Sequence, residues 1–468
     1  MRVLGAPWTA LARGAIRRPF IGGRGLMHRR VLVVGAGGRE HAIAWALARE
    51  PGVEQVVVAP GNPGMTDVAT VVPAAPTDPH AMVALARDLR PDLAVIGPEA
   101  PLVAGVADAL RANGIPTVGP GGEAARLEGS KALCRDVARA AGVPMAHGAT
   151  FDDPDAALAE ARARDGRVVV KADGLAAGKG VTVCADLDGA EAAIRASMIE
   201  GAFGDAGRTV VLEEVLTGRE VSVIALCDET AVLALPAARD HKRLLDGDRG
   251  PNTGGMGAVS PVDQPDDAQV AAILDLVHRP ILAELARRGV GYRGVLFAGL
   301  MLTEDGPRLL ECNVRFGDPE TQATLPRLAV PLAPLLDGVA HGRLADVARE
   351  LGVVGSLLPV TPDAVAAVVL AAPGYPDAPR TGDAIEGITD ARTSGTAVFC
   401  AGVGGTPGGP LTAGGRVLTV VGRGPSMGQA LEAAYAGAAH IRFPGMQLRS
   451  DIGRSGPTTT PVVAGTAA

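Results

Sequence analysis

The sequence predicts an α/β protein with a doubly wound N-terminal domain, a β-rich central domain and a small C-terminal α/β domain. Three observations predict this fold class. Val- and Ile-rich runs alternate with helical patterns over the first 120 or so residues, apolar β-type runs dominate the middle, and a further set of apolar runs begins near 364. The length of 468 residues suits about three domains.

The N-terminal domain is predicted from its alternating strands and helices. The strand candidates are 31–34, 56–58, 93–96 and 115–118, and the helix candidates are 39–49, 80–89 and 102–112. This alternation is typical of a parallel sheet with helices on both faces. Ligands bind at the carboxyl ends of such strands. We therefore expect the loops 35–40, 59–65 and 97–102 to line a site.

The central domain begins with a predicted helix that Ser130 caps and that ends before Gly142. The β-type runs that follow are 168-VVVKA, 181-VTVCA, 209-TVVLEEVL, 219-REVSVIALC, 231-AVLAL, 294-GVLFAGLML and 307-PRLLECNV. Helices are predicted near 188–200 and 267–288, whereas the Gly- and Asp-rich stretch 240–261 is predicted to be nearly structureless. A small α/β region follows from about 335.

Composition excludes several classes of function. The net charge of −7 and the scarcity of aromatic residues argue against nucleic-acid binding. No apolar run reaches the roughly 18 residues that a membrane span needs. The five cysteines are scattered, without metal-ligand spacing, and indicate reduced thiols in a cytoplasmic protein.

The two ends of the chain differ from the rest. The first 30 residues hold seven arginines and no acid, which is compatible with a transit peptide or with an extension upstream of a start at Met27. The absence of serine favours the extension. We leave residues 1–27 out of the fold prediction and expect the tail 454–468 to be disordered.

The lysines are the strongest compositional signal. Only four of the 44 basic residues are lysines, namely Lys131, Lys171, Lys179 and Lys242. A coding bias explains the arginines but not why these four positions escape it. Lysine provides a compact point charge that a planar guanidinium cannot copy. We therefore predict that the four lysines handle phosphate.

The first glycine-rich loop, 35-GAGGREHA, looks like the start of a dinucleotide site but departs from it. The third glycine is replaced by Glu40, and no acid follows the second strand, and both departures argue against NAD as the ligand. The N–H groups of Gly37, Gly38 and Arg39 at a helix start suit a phosphate monoester instead. The alternative is a tight structural turn.

The second glycine-rich loop, 173-DGLAAGKG-180, nearly matches a Walker A motif. Three residues rather than four separate Gly174 from Gly178, and a strand rather than a helix follows Gly180. The loop therefore joins two strands and is predicted to fold over a triphosphate, while Lys171 on the preceding strand holds one phosphate.

Two acidic patterns follow. The stretch 212-LEEVLTGRE-220 is either a solvated turn or an adenine site built from strand-end backbone, with Glu220 on the ribose hydroxyls. Glu311 and Asn313 lie two apart on a strand and so share one face, where they provide the oxygen ligands that Mg²⁺ prefers. The polar pair could also be merely solvated. Arg315 and Asp318 follow in a loop suited to a zwitterion or a carboxylate.

Together these segments resemble the ATP-grasp ligases, and among them the family of phosphoribosylamine–glycine ligases, also called glycinamide ribonucleotide synthetases. The resemblance runs in order from about 29 to about 453. Its blocks are 35-GAGGREHA, 59-APGNPG, 97-GPEAPLV, 127-LEGSKA, 170-VKADGLAAGKGV, 203-FGDAG, 213-EE, 240-DHKR, 250-GPNTGGMGA, 311-ECNVRFGDPETQ, 373-PGYP and 381-TGD. The blocks 250–258 and 315–320 are specific to this ligase family.

The resemblance implies a domain layout and a reaction. It implies an N-terminal domain at 28–128 on the phosphoribosylamine side, an ATP-grasp domain at 129–334 with a glycine-rich lid at about 148–216, and a C-terminal domain at 335–453. ATP would phosphorylate the carboxylate of glycine, and the amine of 5-phosphoribosylamine would then attack the glycyl phosphate. A monomer or weak homodimer is expected, with small molecules as its only partners.

The resemblance also assigns roles to residues. The catalytic set is Lys171, Lys179, Lys242, Arg315 and Asp318. The ATP-binding set is Lys131, Lys171, Gly178, Lys179, Gly180, Glu213, Glu214, Val215 and Glu220. The set for the other substrates is Gly37, Gly38, Arg39, Glu40, Pro98, Glu99, Asp240, Asn252, Thr253, Gly255, Arg315 and Asp318. Glu311 and Asn313 would hold Mg²⁺ or Mn²⁺. The strand before them carries no acid ahead of Glu304, where many ATP-grasp enzymes have another carboxylate.

Rival functions would each need a different sequence. An oxidoreductase needs the third glycine and the acid that are missing here. A purine carboxylase or a formyl-transfer ligase would keep the lysine loop but lack 250-GPNTGGMG, and a non-catalytic nucleotide-binding regulator would be expected to lose the Glu311 and Asn313 pair.

Overall fold

The computed structural model describes residues 29–176 and 180–454. The predicted N-terminal extension, Gly178, Lys179 and the tail after 454 lie outside the described residues. Among the described helices, none combines the length and the apolar character needed to cross a membrane.

The N-terminal part forms a parallel five-stranded sheet in the order β3-β2-β1-β4-β5, which confirms the predicted doubly wound arrangement. Its elements are β1 (Arg29–Gly35), α1 (Gly38–Leu47), β2 (Val53–Pro60), β3 (Thr70–Val71), α2 (Pro79–Leu89), β4 (Leu93–Ile96), α3 (Glu99–Val103), α4 (Val106–Ala112), β5 (Thr117–Val118) and α5 (Gly122–Gly129). The predicted single helix over 102–112 is wrong, because Gly105 interrupts it in a left-handed conformation with φ of 81°.

Successive residues of β1 face opposite sides of this sheet, so both faces are covered. Leu32 and Val34 pack in the core that contains α2 and α4. Val31 and Val33 pack on the other side, in the core that contains α1. A helix from later in the chain, over residues 332–341, also packs in that second core.

The chain then forms an antiparallel four-stranded sheet, called here the lid sheet, in the order β6-β9-β7-β8. Its elements, with the helix before it, are α6 (Lys131–Ala140), β6 (Gly148–Phe151), α7 (Pro154–Ala163), β7 (Val168–Ala172), β8 (Val181–Val183), α8 (Leu187–Met198) and β9 (Val210–Glu214). The Ser130 hydroxyl accepts the Leu133 N–H at 3.0 Å, which confirms the predicted helix cap. The apolar faces of α7 and α8 pack on the lid sheet.

A second antiparallel sheet, called here the floor sheet, has the order β11-β10-β16-β17. The elements of this stretch are β10 (Arg219–Cys227), β11 (Val232–Ala234), β12 (Arg239–Asp240), β13 (Arg243–Leu245), β14 (Arg249–Asn252), β15 (Gly257–Ser260), α9 (Asp267–Ile273), α10 (Arg279–Arg287), β16 (Gly294–Thr303), β17 (Gly306–Asn313), α11 (Glu320–Thr324), α12 (Leu332–His341) and α13 (Leu344–Glu350). The predicted helix over 267–288 contains a π-helical segment at Leu274–His278 between α9 and α10.

The prediction that 240–261 is nearly structureless is wrong. This stretch forms the β13–β14 hairpin and, with Arg239, the short strands β12 and β15. β15 pairs with a strand of the C-terminal part. Such short strands give no readable alternation, because partners from distant segments complete them.

The C-terminal part contains β18 (Ala364–Ala371), α14 (Ile388–Thr393), β19 (Ala397–Cys400), β20 (Val403–Thr406), β21 (Gly409–Thr412), β22 (Arg416–Gly424) and α15 (Met427–Ala438). Its sheet has the order β12-β15-β18-β22-β19, so two of its five strands come from the 239–260 stretch. The C-terminal part is thereby joined directly to the chain that leads into the candidate site.

Asn62 joins the N-terminal and C-terminal parts. Its buried side chain donates to the carbonyls of Ala36 at 2.8 Å and Cys400 at 3.0 Å, and its oxygen accepts the Gly64 N–H at 2.9 Å. Beside it, His41 accepts the Cys400 N–H through Nδ1 at 2.9 Å. Burial lowers the pKa of His41 to about 3, so His41 makes this contact as a neutral imidazole.

Asn62→Ala is expected to lower the free energy of unfolding by about 1–3 kcal/mol, because buried carbonyls lose a donor that water cannot replace. Asn113→Ala is the matched control, since that exposed asparagine donates to a carbonyl of its own helix. Its effect is expected to stay within about 0.5 kcal/mol. If denaturant titrations show the same loss of unfolding free energy for both variants, Asn62 does not stabilise the contact between the N-terminal and C-terminal parts.

Candidate active site

The start of α1 is occupied by the carboxylate of Glu40. One Glu40 oxygen accepts the Gly37 N–H at 2.6 Å, and the other lies 2.5 Å from Arg39 Nε. Both side chains are buried, with 1% of Glu40 and 7% of Arg39 exposed. A side chain at Gly97 would collide with Glu40, since a Cβ there would lie 2.1 Å from its oxygen.

This geometry corrects the expectation that the Gly37 N–H is open to a substrate phosphate. A carboxylate at N3 of a helix is attracted to the unpaired N–H groups and to the positive end of the helix dipole. Glu40 therefore already supplies the anion at Gly37. The loop still contacts the segment that follows β17, because Arg39 also donates to the Phe316 carbonyl at 3.0 Å.

Arg315 links the N-terminal part to the end of β17. Its guanidinium lies 2.8 Å from Glu128 and 3.2 Å from Glu99. Burial opposes its charge, but these two carboxylates raise the pKa of Arg315. Burial raises the pKa of Glu128 to about 6, although Arg315 counters part of this effect. Pro98, which precedes Glu99, caps α3 and so places Glu99 in its first turn.

Lys171 joins the two sheets of the central part. It extends from β7 of the lid sheet, lies 2.6 Å from Glu213 and donates to the Leu310 carbonyl of the floor sheet at 2.9 Å. Only 8% of Lys171 is exposed. An ammonium has three N–H donors, so one remains for a ligand.

The neighbouring polar groups are also held within the protein. Lys131 donates to the Gly174 carbonyl at 3.1 Å, and the Gly180 carbonyl accepts the Ala172 N–H at 2.7 Å. The Glu213 carboxylate, which contacts Lys171, also pairs with Arg135 at 2.9 Å. Glu214 accepts the His147 N–H at 2.8 Å, and Val215 follows it directly. The carboxylates of Glu213 and Glu214 are thus used internally, and the Glu214 N–H donates to the His147 carbonyl at 2.8 Å.

Lys242 lies among carboxylates on the floor sheet. Its Nζ is 2.9 Å from Glu220 and 3.8 Å from Glu311. Desolvation opposes the charge, but the carboxylates of Glu220, Asp240 and Glu311 raise the pKa of Lys242 well above its usual value. Burial raises the pKa of Asp240 to about 7, an effect that Lys242 partly offsets.

Glu311 and Asn313 share one face of β17, since Asn313 Nδ2 lies 3.5 Å from Glu311 Oε1. Among the described residues, no group of three or more His, Cys, Asp or Glu side chains is arranged to hold a metal. On β16, Gly299 pairs with Glu311, and a Cβ at Gly299 would lie 3.0 Å from Glu311 Cγ. A carboxylate and an amide oxygen suit Mg²⁺, which commonly takes few protein ligands and completes its shell with phosphates and water.

The residues around Lys171, Lys242, Glu311 and Arg315 are called here the cleft, and the loop 316–320 meets the turn 252–255 beside them. Asn252 ends β14, and Thr253 donates through both its N–H and its hydroxyl to the Lys242 carbonyl at 2.8 Å. Gly255 packs against the proline that follows Asp318, and its φ of 111° requires glycine. The cleft thus brings together described members of the predicted sets from the N-terminal part, both central sheets and the two loops.

Sequence reasoning missed several residues of this cleft. Ser222 donates at 3.1 Å to Glu320, a carboxylate that is only 4% exposed, and burial raises the pKa of this carboxyl. Arg416 contacts Asp318 from the C-terminal part, and Glu128 contacts Arg315. Glu128 and Glu320 lie inside the quoted blocks 127-LEGSKA and 311-ECNVRFGDPETQ, but their pairing depends on distant segments and has no local sequence signal.

Comparisons with known proteins agree with this geometry. Family models of phosphoribosylglycinamide synthetase match three consecutive segments: the N domain at 29–128, the ATP-grasp (A) domain at 129–321 and the C domain at 365–455. This chain belongs to the phosphoribosylglycinamide synthetase family. The family match confirms the resemblance and the predicted fold class of N-terminal, ATP-grasp and C-terminal α/β domains.

The matches to individual members of the family cover nearly the whole chain. A curated phosphoribosylamine–glycine ligase from Rhizobium meliloti (strain 1021) is 44% identical over 424 residues, which are 91% of this chain and 98% of that protein. A crystal structure of phosphoribosylamine–glycine ligase from Thermotoga maritima has 33% identity and a TM-score of 0.73, and the match covers 90% of this chain and 100% of that chain.

A more distant structure supports the fold alone. The biotin carboxylase domain of 2-oxoglutarate carboxylase from Hydrogenobacter thermophilus, solved with the magnesium salt of ADP, has 17% identity and a TM-score of 0.68. The match covers 90% of this chain and 92% of that domain. This fold is therefore shared beyond the synthetase family.

Proposed function

We propose that this chain ligates glycine to 5-phosphoribosylamine at the expense of ATP, giving glycinamide ribonucleotide, ADP and phosphate in purine biosynthesis. The observation that carries the proposal is a single cleft, in a member of this family, that joins two chemically distinct regions. One region is the lysine and carboxylate cluster around Lys171 and Lys242, and the other is the loop with Arg315 and Asp318.

ATP lies between the lid sheet and the floor sheet in this proposal. Lys171 bridges the two sheets and has one N–H left for a phosphate oxygen. Burial lowers the pKa of Lys131. The Glu311 carboxylate raises this pKa and the Lys171 ammonium lowers it, so Lys131 belongs to the same group of charges. Backbone groups around 213–215 would receive the adenine, Glu220 the ribose, and the loop with Gly178, Lys179 and Gly180 would cover the phosphates.

Glu311 and Asn313 would hold the divalent metal, Mg²⁺ or Mn²⁺, at the phosphate end. When bound, such a metal neutralises phosphate charge and orients the transferred group. The Glu311 carboxylate is suited to this role, because Lys242 and Lys171 lower its pKa against the effect of desolvation. It is therefore ionised at neutral pH.

The proposed reaction has two steps. An oxygen of the glycine carboxylate attacks the γ-phosphorus of ATP, which releases ADP and gives glycyl phosphate. The amine of 5-phosphoribosylamine then attacks the acyl carbon, and phosphate leaves as the amide forms. No protein nucleophile is needed. The chain contributes positioning and fixed positive charge, with Lys171 and Lys242 at the phosphates and Arg315 beside the glycine.

5-Phosphoribosylamine is placed at the carboxyl edge of the N-terminal sheet, beside the loop 37–40 and Glu99. Arg39→Ala is expected to raise KM for this amine at least about tenfold while KM for ATP stays within about twofold, since the described contacts of Arg39 are with Glu40 and Phe316 and not with the lysine cluster. Arg87→Ala, at an exposed helix position, is the control. A larger effect on ATP than on the amine would refute this placement of the loop.

The function is tested by measuring ADP release from ATP in the presence of magnesium. ADP release is expected to require both glycine and 5-phosphoribosylamine, and bicarbonate or formate is not expected to replace glycine. Mass spectrometry should identify glycinamide ribonucleotide in the mixture. ADP release that depends on bicarbonate or formate instead would overturn the proposal in favour of another ATP-grasp reaction.

The proposal includes a cytoplasmic location and a monomer or weak homodimer. All five cysteines are buried free thiols, which supports a reducing compartment. Sedimentation at several protein concentrations tests the oligomeric state.

A further inference from the structure

Arg416 belongs to the C-terminal part, yet its guanidinium reaches into the candidate site. It is the first residue of β22, and its Nη1 donates to the carbonyls of Gly254 and Asp318, both at 2.6 Å. The same nitrogen lies 3.4 Å from Asp318 Oδ1. One arginine therefore connects the two loops that meet at the edge of the cleft.

The surroundings of Arg416 are shaped to admit it. A Cβ at Gly254 would lie 2.9 Å from Arg416 Cζ, so only glycine lets the guanidinium approach the backbone there. The N–H of Gly254 donates to the Tyr375 hydroxyl at 2.9 Å. Tyr375 and Arg416 thus fix the two sides of Gly254 from the C-terminal part.

Arg416 also fixes the direction of the Asp318 carboxylate. Oδ1 accepts from Gln322 Nε2 at 2.8 Å and faces Arg416. Oδ2 lies 3.5 Å from the position of a Cβ on Gly37, and within the described part of the chain no hydrogen bond uses this oxygen. Although burial opposes ionisation, Arg416 and Arg39 lower the pKa of Asp318. The carboxylate is therefore charged, with one oxygen held and the other directed toward the N-terminal loop.

We propose that Arg416 is a positioning residue for glycine, which holds Asp318 and the turn 253–255 so that Asp318 Oδ2 accepts the ammonium group of the amino acid. This inference rests on the proposed function, because glycine is the substrate that brings a permanent ammonium group to the cleft. An ionised carboxylate with a free oxygen is the natural acceptor for such a group.

Within the described part of the chain, Arg416 makes no hydrogen bond or ion pair with the residues proposed for ATP. Lys171 and Lys131 bond to Glu213, Leu310 and Gly174, which lie on the two central sheets and in the loop after β7. Loss of Arg416 should therefore weaken glycine binding selectively, whereas a general loss of structure would affect both substrates.

The test compares Arg416→Gln with Arg423→Gln in the full chain. Arg423 lies on the same strand and bonds to Asp363 at 2.6 Å, but it contacts neither loop of the cleft. Arg416→Gln is expected to raise KM for glycine at least about tenfold and to leave KM for ATP within about twofold, while Arg423→Gln leaves both within about twofold. Arg416→Lys should recover part of the loss, because a single ammonium can replace the one nitrogen that makes all three contacts.

The possible failures are distinguishable. If the unmodified chain shows no glycine-dependent ADP release, both the proposed function and this inference are refuted. If the unmodified chain is active and Arg416→Gln leaves KM for glycine unchanged, or raises KM for ATP or for 5-phosphoribosylamine as much as KM for glycine, only the inference is refuted. An Arg423→Gln variant with the same selective defect would also refute it.

Discussion

Glu311→Gln is expected to lower kcat at least about 100-fold, which corresponds to about 2.7 kcal/mol of activation free energy. The substitution is nearly isosteric, so β17 and its pairing with β16 should persist. It removes the carboxylate charge that would hold the divalent metal and that lies 3.8 Å from Lys242. The amide that replaces it is a much weaker ligand for a hard cation.

Glu304→Gln is the matched control for this experiment, because Glu304 is exposed in the turn after β16. Both variants should give the circular dichroism spectrum of the unmodified chain. Steady-state rates measured over a magnesium titration then separate weaker metal binding from loss of chemistry. If Glu311→Gln turns over at a near-normal rate in saturating magnesium, Glu311 does not belong to the metal site.

The face shared by Glu311 and Asn313 was predictable from sequence for a local reason. Residues two apart on a strand point the same way, and the apolar run before them identifies the strand. The N-terminal sheet was predictable on the same kind of evidence, because each of its main strands is a short apolar run between helical patterns. Local periodicity therefore accounts for the parts of the fold that strands and helices define by themselves.

The contacts that complete the site were not predictable in this way. Arg416 reaches Asp318 across 98 positions in the chain, and Arg315 pairs with Glu128 across 187. Glu40 shows a different limit. Its position after the glycine loop was visible, but only the structure shows that its carboxylate takes the Gly37 N–H in place of a ligand.

The strands of the C-terminal sheet also could not all be predicted from local sequence. β12 and β15 are two and four residues long and lie in a stretch rich in glycine and aspartate. β15 pairs with β18, more than 100 positions later, and β12 pairs with β15, so both strands depend on these partners more than on their own propensity. Tertiary contacts therefore decide which domain a segment joins, and the local sequence pattern does not show these contacts.

Lys171→Arg is expected to lower kcat/KM about 100-fold although the charge is kept, because a misplacement of about 1 Å can have that effect. The ammonium fits between the Glu213 carboxylate and the Leu310 carbonyl, at 2.6 and 2.9 Å, with one donor left for phosphate. A guanidinium is wider and planar, and it favours a forked contact with Glu213. It would push the two sheets apart or shift the phosphates.

Lys179→Arg is the informative comparison, although Lys179 lies outside the described residues. Glycine tolerates more backbone conformations than other residues, and Lys179 has a glycine on each side in the sequence, so we expect a smaller loss. Steady-state kinetics on both variants compare the two losses of kcat/KM, and circular dichroism is the folding control. If both variants match the unmodified enzyme, the scarcity of lysine is an accident of composition and does not mark phosphate contacts. If Lys179→Arg lowers kcat/KM more than Lys171→Arg, Lys179 must occupy one fixed position in the reaction. Only then would its replacement have a larger effect than replacement of a lysine held between two sheets.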